Sequence, residues 1–193
     1  MNRKTTLEDF CYDFPEELIA TDPVARAQSR LLLSDGNLSH HCFEQLPTLI
    51  PANALLVMND SRVFPCRLYS SNPSCELFLL SLPDTNGYAW ATGRPLRKLK
   101  PGKHIQIADI EVRVELRHED QIRIQFPMGG LQARKWLDQH GSMPLPPYIK
   151  RPSQREDHEN YQTVYSRELG SVAAPTAGLH FTNGLLKKAL SQS

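Results

Sequence analysis

The stretch Gly170-Ser171-Val172-Ala173-Ala174-Pro175-Thr176-Ala177-Gly178-Leu179-His180-Phe181-Thr182 sets one ionisable side chain, His180, among small residues, two glycines and a proline. Small residues let backbone amides approach a ligand closely, and glycine reaches conformations closed to other residues. An imidazole beside such a loop can take or give a proton near neutral pH. The same composition also suits a tight packing turn with His180 satisfied in a core. A second polar group, Asn59-Asp60-Ser61-Arg62, directly follows the apolar run Ala54-Leu55-Leu56-Val57-Met58. Ligands of α/β proteins bind beyond the carboxyl ends of strands, so site residues are expected here; the same four residues equally make an Asx-type turn. A third group, Arg94, Arg97, Lys98, Lys100 and Lys103, puts five cations into ten residues. Such a run either contacts phosphates or forms a solvated loop. The acidic residues show no metal-like spacing, and no GxSxG, P-loop or GxGxxG pattern occurs.

The elements that must position these groups change character along the chain. Arg30–Ser34 (RLLLS) and residues 54–58 (ALLVM) read as short buried strands, and residues 43–50 form one or two helical turns before Pro51. Farther on, Ile110, Val112, Val114 and Leu116 alternate with Glu111, Arg113, Glu115 and Arg117. After the turn His118-Glu119-Asp120, Ile122, Ile124 and Phe126 continue the alternation, which predicts a hairpin with one wet face. Residues 75–82 and 87–93 add further strands, and a run of strands without intervening helices predicts a small β-barrel or sandwich. A helix over Gly130–His140 ends at Gly141 in a C′ position, Pro144 to Ile149 is stiff and extended, and a helix over 183–190 is capped by Thr182 or Asn183. The expected organisation is an α/β domain, 1–63 and 144–193, interrupted by an inserted β-barrel-like domain, 64–143, giving α+β character overall.

The 193 residues are enough to bury a sizeable core. With 22 basic against 21 acidic side chains, net charge points to no polyanionic partner, so any such contact must come from a local patch. No apolar run reaches membrane-spanning length and the first residues carry no secretory h-region. Cys11, Cys42, Cys66 and Cys75 are scattered, which reads as free thiols in a reducing cytoplasm.

Taken together, PLPPYIKR, DHENYQTVYS and GSVAAPTAGLHFT, preceded by DFCYDFPEELIA, Pro23, Arg26, SRLLL and LLVMNDSRVFPCRL, resemble the S-adenosylmethionine:tRNA ribosyltransferase-isomerases of queuosine biosynthesis. The matching segments are collinear from Asp9 to Thr182. The resemblance implies an α/β domain interrupted by a β-barrel-like domain, and a monomer with no metal or further cofactor. It implies transfer and isomerisation of the ribosyl part of S-adenosylmethionine onto 7-aminomethyl-7-deazaguanine at the wobble position of tRNA. The products would be epoxyqueuosine, adenine and methionine. In that chemistry the sulfonium acidifies the adjacent ribose C5′–H, so a base is needed, and the departing adenine needs hydrogen bonds or a proton. Asp60 is then the candidate for ribose binding or for the base, with Asn59 and Ser61 beside it. Arg62 or Arg67 is the candidate for the methionine carboxylate. Pro175, Thr176, Ala177, Gly178 and His180 would line the nucleoside, and Arg94 to Lys103 would contact tRNA.

The sequence departs from the family pattern in three ways. Residues 70–76 lack the usual Thr-Gly-Gly turn, and Ala27 stands where the family places an aspartate. Nothing resembles the family's later Leu-His-Val-Gly-x-Gly-Thr-Phe or Thr-Asn-Phe-His-x-Pro segments, so the α/β domain reads as truncated at its C-terminal side. The second reading is therefore a non-catalytic fragment or homologue that binds tRNA or nucleotide.

Overall fold

The computed structural model describes residues 4–72 and 74–191. In chain order its strands and α-helices are β1 (Arg30–Ser34), β2 (Leu38–Cys42), α1 (Leu46–Leu49), β3 (Ser61–Val63), β4 (Arg67–Ser71), β5 (Ser74–Leu79), β6 (Tyr88–Arg94), β7 (His104–Ile107), β8 (Ile110–His118), β9 (Gln121–Gln125), α2 (Gly130–His140), α3 (Asp157–Asn160), β10 (Glu168–Ser171) and α4 (Asn183–Ser191). The fold is an α/β domain with an inserted, nearly closed β-barrel-like sheet.

The inserted sheet has six antiparallel strands in the order β4-β5-β6-β9-β8-β7. Its two edges meet at Asn72 and Gln106, where the Gln106 N–H donates to the Asn72 carbonyl at 3.2 Å. Alternation does the sorting: Ile110, Val112 and Val114 of β8 and Ile122 and Ile124 of β9 are buried, while Glu111 and Arg113 face water. Leu116 breaks the expectation and is 38% exposed. The β8–β9 register shifts between Val114 and Leu116, and one extra residue turns every later side chain to the other face. Helix α2 covers the barrel interior with Trp136 and Leu137, and the Trp136 indole donates to Asp109 Oδ1 at 2.7 Å. Gly141 follows that helix as expected, but its φ of −82° is not left-handed. Close packing explains the glycine instead, since a Cβ there would lie 2.3 Å from the Pro65 carbonyl oxygen.

The flanking segments build two smaller cores. One joins Val63, Met143, Leu145, Tyr161 and Ala174; the other joins Ala27, Phe43, Phe181 and Leu185. Strand β3 pairs in parallel with β10, and β1 pairs with β2 in a hairpin. Two expectations fail here. β1 is a strand but not a buried one, because alternate residues face solvent and Leu32 is exposed. Residues 54–58 form no strand at all, and Leu55 is 88% exposed. An apolar run becomes a strand only when a neighbour takes its backbone N–H and C=O groups, and among the described residues no strand flanks it. None of the helices is long and apolar enough to cross a membrane among the described residues.

Candidate functional site

The loop singled out by its small residues serves packing, and Thr176, Leu179 and His180 within it also line a cavity. Gly170 has φ of +145° at the register shift between β10 and β3, a backbone conformation that side chains disfavour. Gly178 is buried beneath Tyr165: a Cβ there would sit 2.1 Å from the Tyr165 hydroxyl oxygen. Its N–H is used on the Pro175 carbonyl at 2.8 Å, so that amide is not free for a ligand. After the loop, Thr182 caps α4, its hydroxyl accepting the Leu185 N–H at 3.1 Å.

His180 is half-buried against the Phe43 ring, with centroids 5.2 Å apart. Its Nδ1 lies 2.8 Å from Ser29 Oγ, and its carbonyl accepts the Ala27 N–H at 2.9 Å. Ala27 adopts φ of +67°, a region that Asp and Asn tolerate better than Ala. Next to it, Arg26 acts as a clamp. Nη1 donates to the Leu179 carbonyl at 2.9 Å, and Nη2 donates to the carbonyls of Gln162 at 2.7 Å and Glu159 at 3.0 Å. Gln162 in turn exchanges two hydrogen bonds with the Val63 backbone, which ties the turn after α3 to β3.

Arg26, Ser29, Leu179 and His180 line a cavity of 510 Å³, within the range of small-molecule sites. Its walls come from four separated segments, 19–29, 145–151, 157–161 and 176–180. Arg151 and Asp157 hold two of them together through a two-pronged ion pair at 2.8 and 2.9 Å. Asp157 also accepts the Gln154 N–H at 2.7 Å, and its side chain is 5% exposed. The hydrogen bonds from Arg151 hold the Asp157 carboxyl below the usual carboxylate range, against the opposing effect of burial. Burial raises the phenol of Tyr161, which therefore lines the cavity in its neutral form.

A depressed carboxyl stabilises the fold fully above its unfolded-state pKa, and that contribution is lost as pH falls through the folded-state value. The ion pair is therefore intact at neutral pH and fails on the acid side of the ordinary carboxylate range. Asp157→Asn removes the two-pronged partner of Arg151 and leaves it only the longer contact with Asp22 at 3.5 Å, and should cost about 2 to 3 kcal/mol at neutral pH. Thermal melts should show the gap between native chain and variant narrowing as pH is lowered from about 5 to about 3. A gap that stays constant with pH would show that Asp157 acts through shape alone.

The structure gathers only part of the expected site. Thr176 and His180 line the cavity, whereas Pro175, Ala177 and Gly178 do not. Asn59, Asp60, Ser61 and Arg62 also stand outside it. Asn59 Oδ1 accepts the Ser61 N–H at 2.9 Å, closing the Asx turn, and Asp60 pairs with Arg167 at 2.9 Å. Because 54–58 is not a strand, this group opens β3 instead of following a strand end. Arg67 lines a neighbouring cavity of 770 Å³, where it pairs with Glu76 at 3.1 Å and lies over the Phe78 ring. Arg94 lines that second cavity as well, separated from Arg97, Lys98, Lys100 and Lys103. The two cavities share Leu145, Pro146, Ile149 and Arg151 as a common wall. Sequence reasoning missed the roles of Ser29, Arg26, Arg151 and Asp157, although Arg26, Ser29 and PLPPYIKR lay in the segments that carried the resemblance.

The molecule is thus an α/β domain interrupted by a small barrel, with a cavity walled by four distant segments. Residues 7–193 match the family described as queuosine biosynthesis protein, and the chain belongs to that family. It is 39% identical over 193 residues to an S-adenosylmethionine:tRNA ribosyltransferase-isomerase of Treponema denticola, covering 94% of this chain and 56% of the relative. Similar proteins of the same name occur in Solibacter usitatus, 39% identical over 94% of this chain and 59% of the relative, and in Natranaerobius thermophilus, 41% identical over 91% and 54%. The chain thus spans somewhat more than half the length of the curated relatives it matches. The crystal structure of S-adenosylmethionine tRNA ribosyltransferase from Thermotoga maritima aligns with 27% identity and a TM-score of 0.35, over 95% of this chain and 54% of that one.

Proposed function

We propose that the 510 Å³ cavity holds the nucleoside of S-adenosylmethionine and that the chain takes part in ribosyl transfer to tRNA. The acceptor is 7-aminomethyl-7-deazaguanine at the wobble position; the products are epoxyqueuosine, adenine and methionine. The observation that carries this reading is the convergence on one cavity of Arg26 and Ser29, PLPPYIKR, and the Thr176–His180 turn, segments that lie far apart in the chain. The sulfonium of the co-substrate acidifies its ribose C5′–H, and adenine leaves more readily when its ring is protonated or hydrogen-bonded. Asp22 and Asp157 in the cavity wall are both paired with Arg151, which leaves His180 to move a proton, and Ser29 fixes its ring through Nδ1. Thr176 supplies a hydroxyl for the sugar. The methionine carboxylate falls to Arg67 in the adjoining cavity in preference to Arg62, which is exposed on β3. Asp60, paired with Arg167 outside the cavity, is set aside as the base.

The test is incubation of the chain with S-adenosylmethionine and tRNA carrying the acceptor base, followed by chromatography of released adenine. Adenine that appears only when both substrates are present supports the reading. Binding of S-adenosylmethionine without release makes the chain a nucleotide-binding module, and absence of binding overturns the assignment of the cavity.

A further inference from the structure

The barrel carries a concave site of its own, apart from the His180 cavity. Arg97, Lys98, Lys100, Lys103 and His104 line a notch of 660 Å³ together with Asn72, Gln106 and Glu111. It lies at the seam where β4 and β7 close the barrel through Asn72 and Gln106. The loop bearing the cations is held in place. Leu99 is fully buried, Lys98 Nζ donates to the Ser74 carbonyl at 2.9 Å, and the Gly102 N–H donates to the Val114 carbonyl at 2.8 Å. Val114 N–H returns to the Lys103 carbonyl at 2.8 Å.

The charges in this frame are unbalanced. Among the described residues Glu111 is the one carboxylate lining the notch, and it is hydrogen-bonded to His104. Arg97, Lys100 and Lys103 are exposed and have no ion-pair partner among the described residues. Elsewhere on the chain Arg67, Arg113, Arg151 and Arg167 are each paired with a carboxylate. A solvated loop scatters its charges, whereas here they converge on one concave surface of a chain whose net charge is only +1. Among the described residues, only polar and charged side chains line the notch, which is unlike the apolar face of an interfacial membrane site. Regularly spaced phosphates match several fixed cations better than a single anion does.

We infer that this notch docks the phosphate backbone of RNA, through Arg97, Lys100 and Lys103, at a site distinct from the nucleoside cavity. The choice of RNA over other polyanions rests on the proposed role of tRNA as substrate. Lys98 is tied to Ser74 and acts mainly as a support for the loop.

The probe is unfractionated tRNA, titrated against the 193-residue chain at several salt concentrations. Arg97→Ala/Lys100→Ala/Lys103→Ala retains Lys98 and Leu99, so circular dichroism should be unchanged. The slope of log K against log salt should become shallower by roughly 2 to 3 units. Arg134→Ala/Lys135→Ala/Lys187→Ala, which removes the same charge from exposed positions elsewhere, should leave the slope within about half a unit of the native one. An unchanged slope in the notch variant, or an equal change in the control, overturns the site. Vesicles of phosphatidylserine provide the competing arm: binding to them with the same loss in the notch variant would overturn the assignment to RNA. S-adenosylmethionine affinity, measured in parallel, separates this inference from the proposed function. Nucleoside binding that fails while the tRNA slope behaves as expected removes the cavity assignment alone. Normal nucleoside binding with an unaltered tRNA slope removes the notch alone, and native chain that binds no tRNA removes the notch and tRNA as partner.

Discussion

Arg26→Ala should lower stability by about 3 kcal/mol, because a charged donor to three carbonyls is lost. For a chain of this size that is a fall of roughly 10 °C in melting temperature. The loss is local in origin: the clamp joins the Leu179–His180 turn to the segment after α3, and both are walls of the 510 Å³ cavity. S-adenosylmethionine binding should weaken beyond detection in the variant even well below its melting temperature. Arg26→Lys should recover little, since one ammonium cannot reproduce a planar fork that reaches three oxygens. An Arg26→Ala chain that melts and binds like the native one would mean that the clamp is ornamental.

The second large effect concerns rate. His180→Gln keeps a polar group of similar reach beside Ser29 but cannot carry a proton in the same way. Adenine release should fall by about 10²-fold or more, the usual contribution of a positioned acid or base. The affinity for S-adenosylmethionine should change only a few-fold, because the Arg26 clamp on the Leu179 carbonyl and the Ala27 N–H on the carbonyl of residue 180 need no imidazole and remain. A drop in affinity with the turnover rate preserved would instead make His180 a binding residue.

Much of the barrel was legible from alternation along β8 and β9, because a sheet with one wet face writes its register into the sequence. The shift before Leu116 was not, since a bulge leaves no mark in hydropathy. Residues 54–58 misled for a related reason: apolarity reports what a segment would bury, whereas strand formation depends on a partner elsewhere. That error is why Asn59–Arg62 was expected beyond a strand end, whereas it opens β3. His180 stands out in the sequence as an ionisable group among small residues and lines the cavity, while Gly178 is demanded by Tyr165. The Arg151–Asp157 pair and the Arg26 clamp were hidden because each arginine lies outside any strand or helix, where no periodicity exists.

Amide-resonance mapping during a titration with S-adenosylmethionine tests most directly whether the four separated segments form one nucleoside site. Perturbations should fall together on residues 19–29, 145–151, 157–161 and 176–180, with the notch around Arg97 and Lys100 unaffected. Perturbations centred on Asn59–Arg62, or confined to the barrel strands, would contradict it.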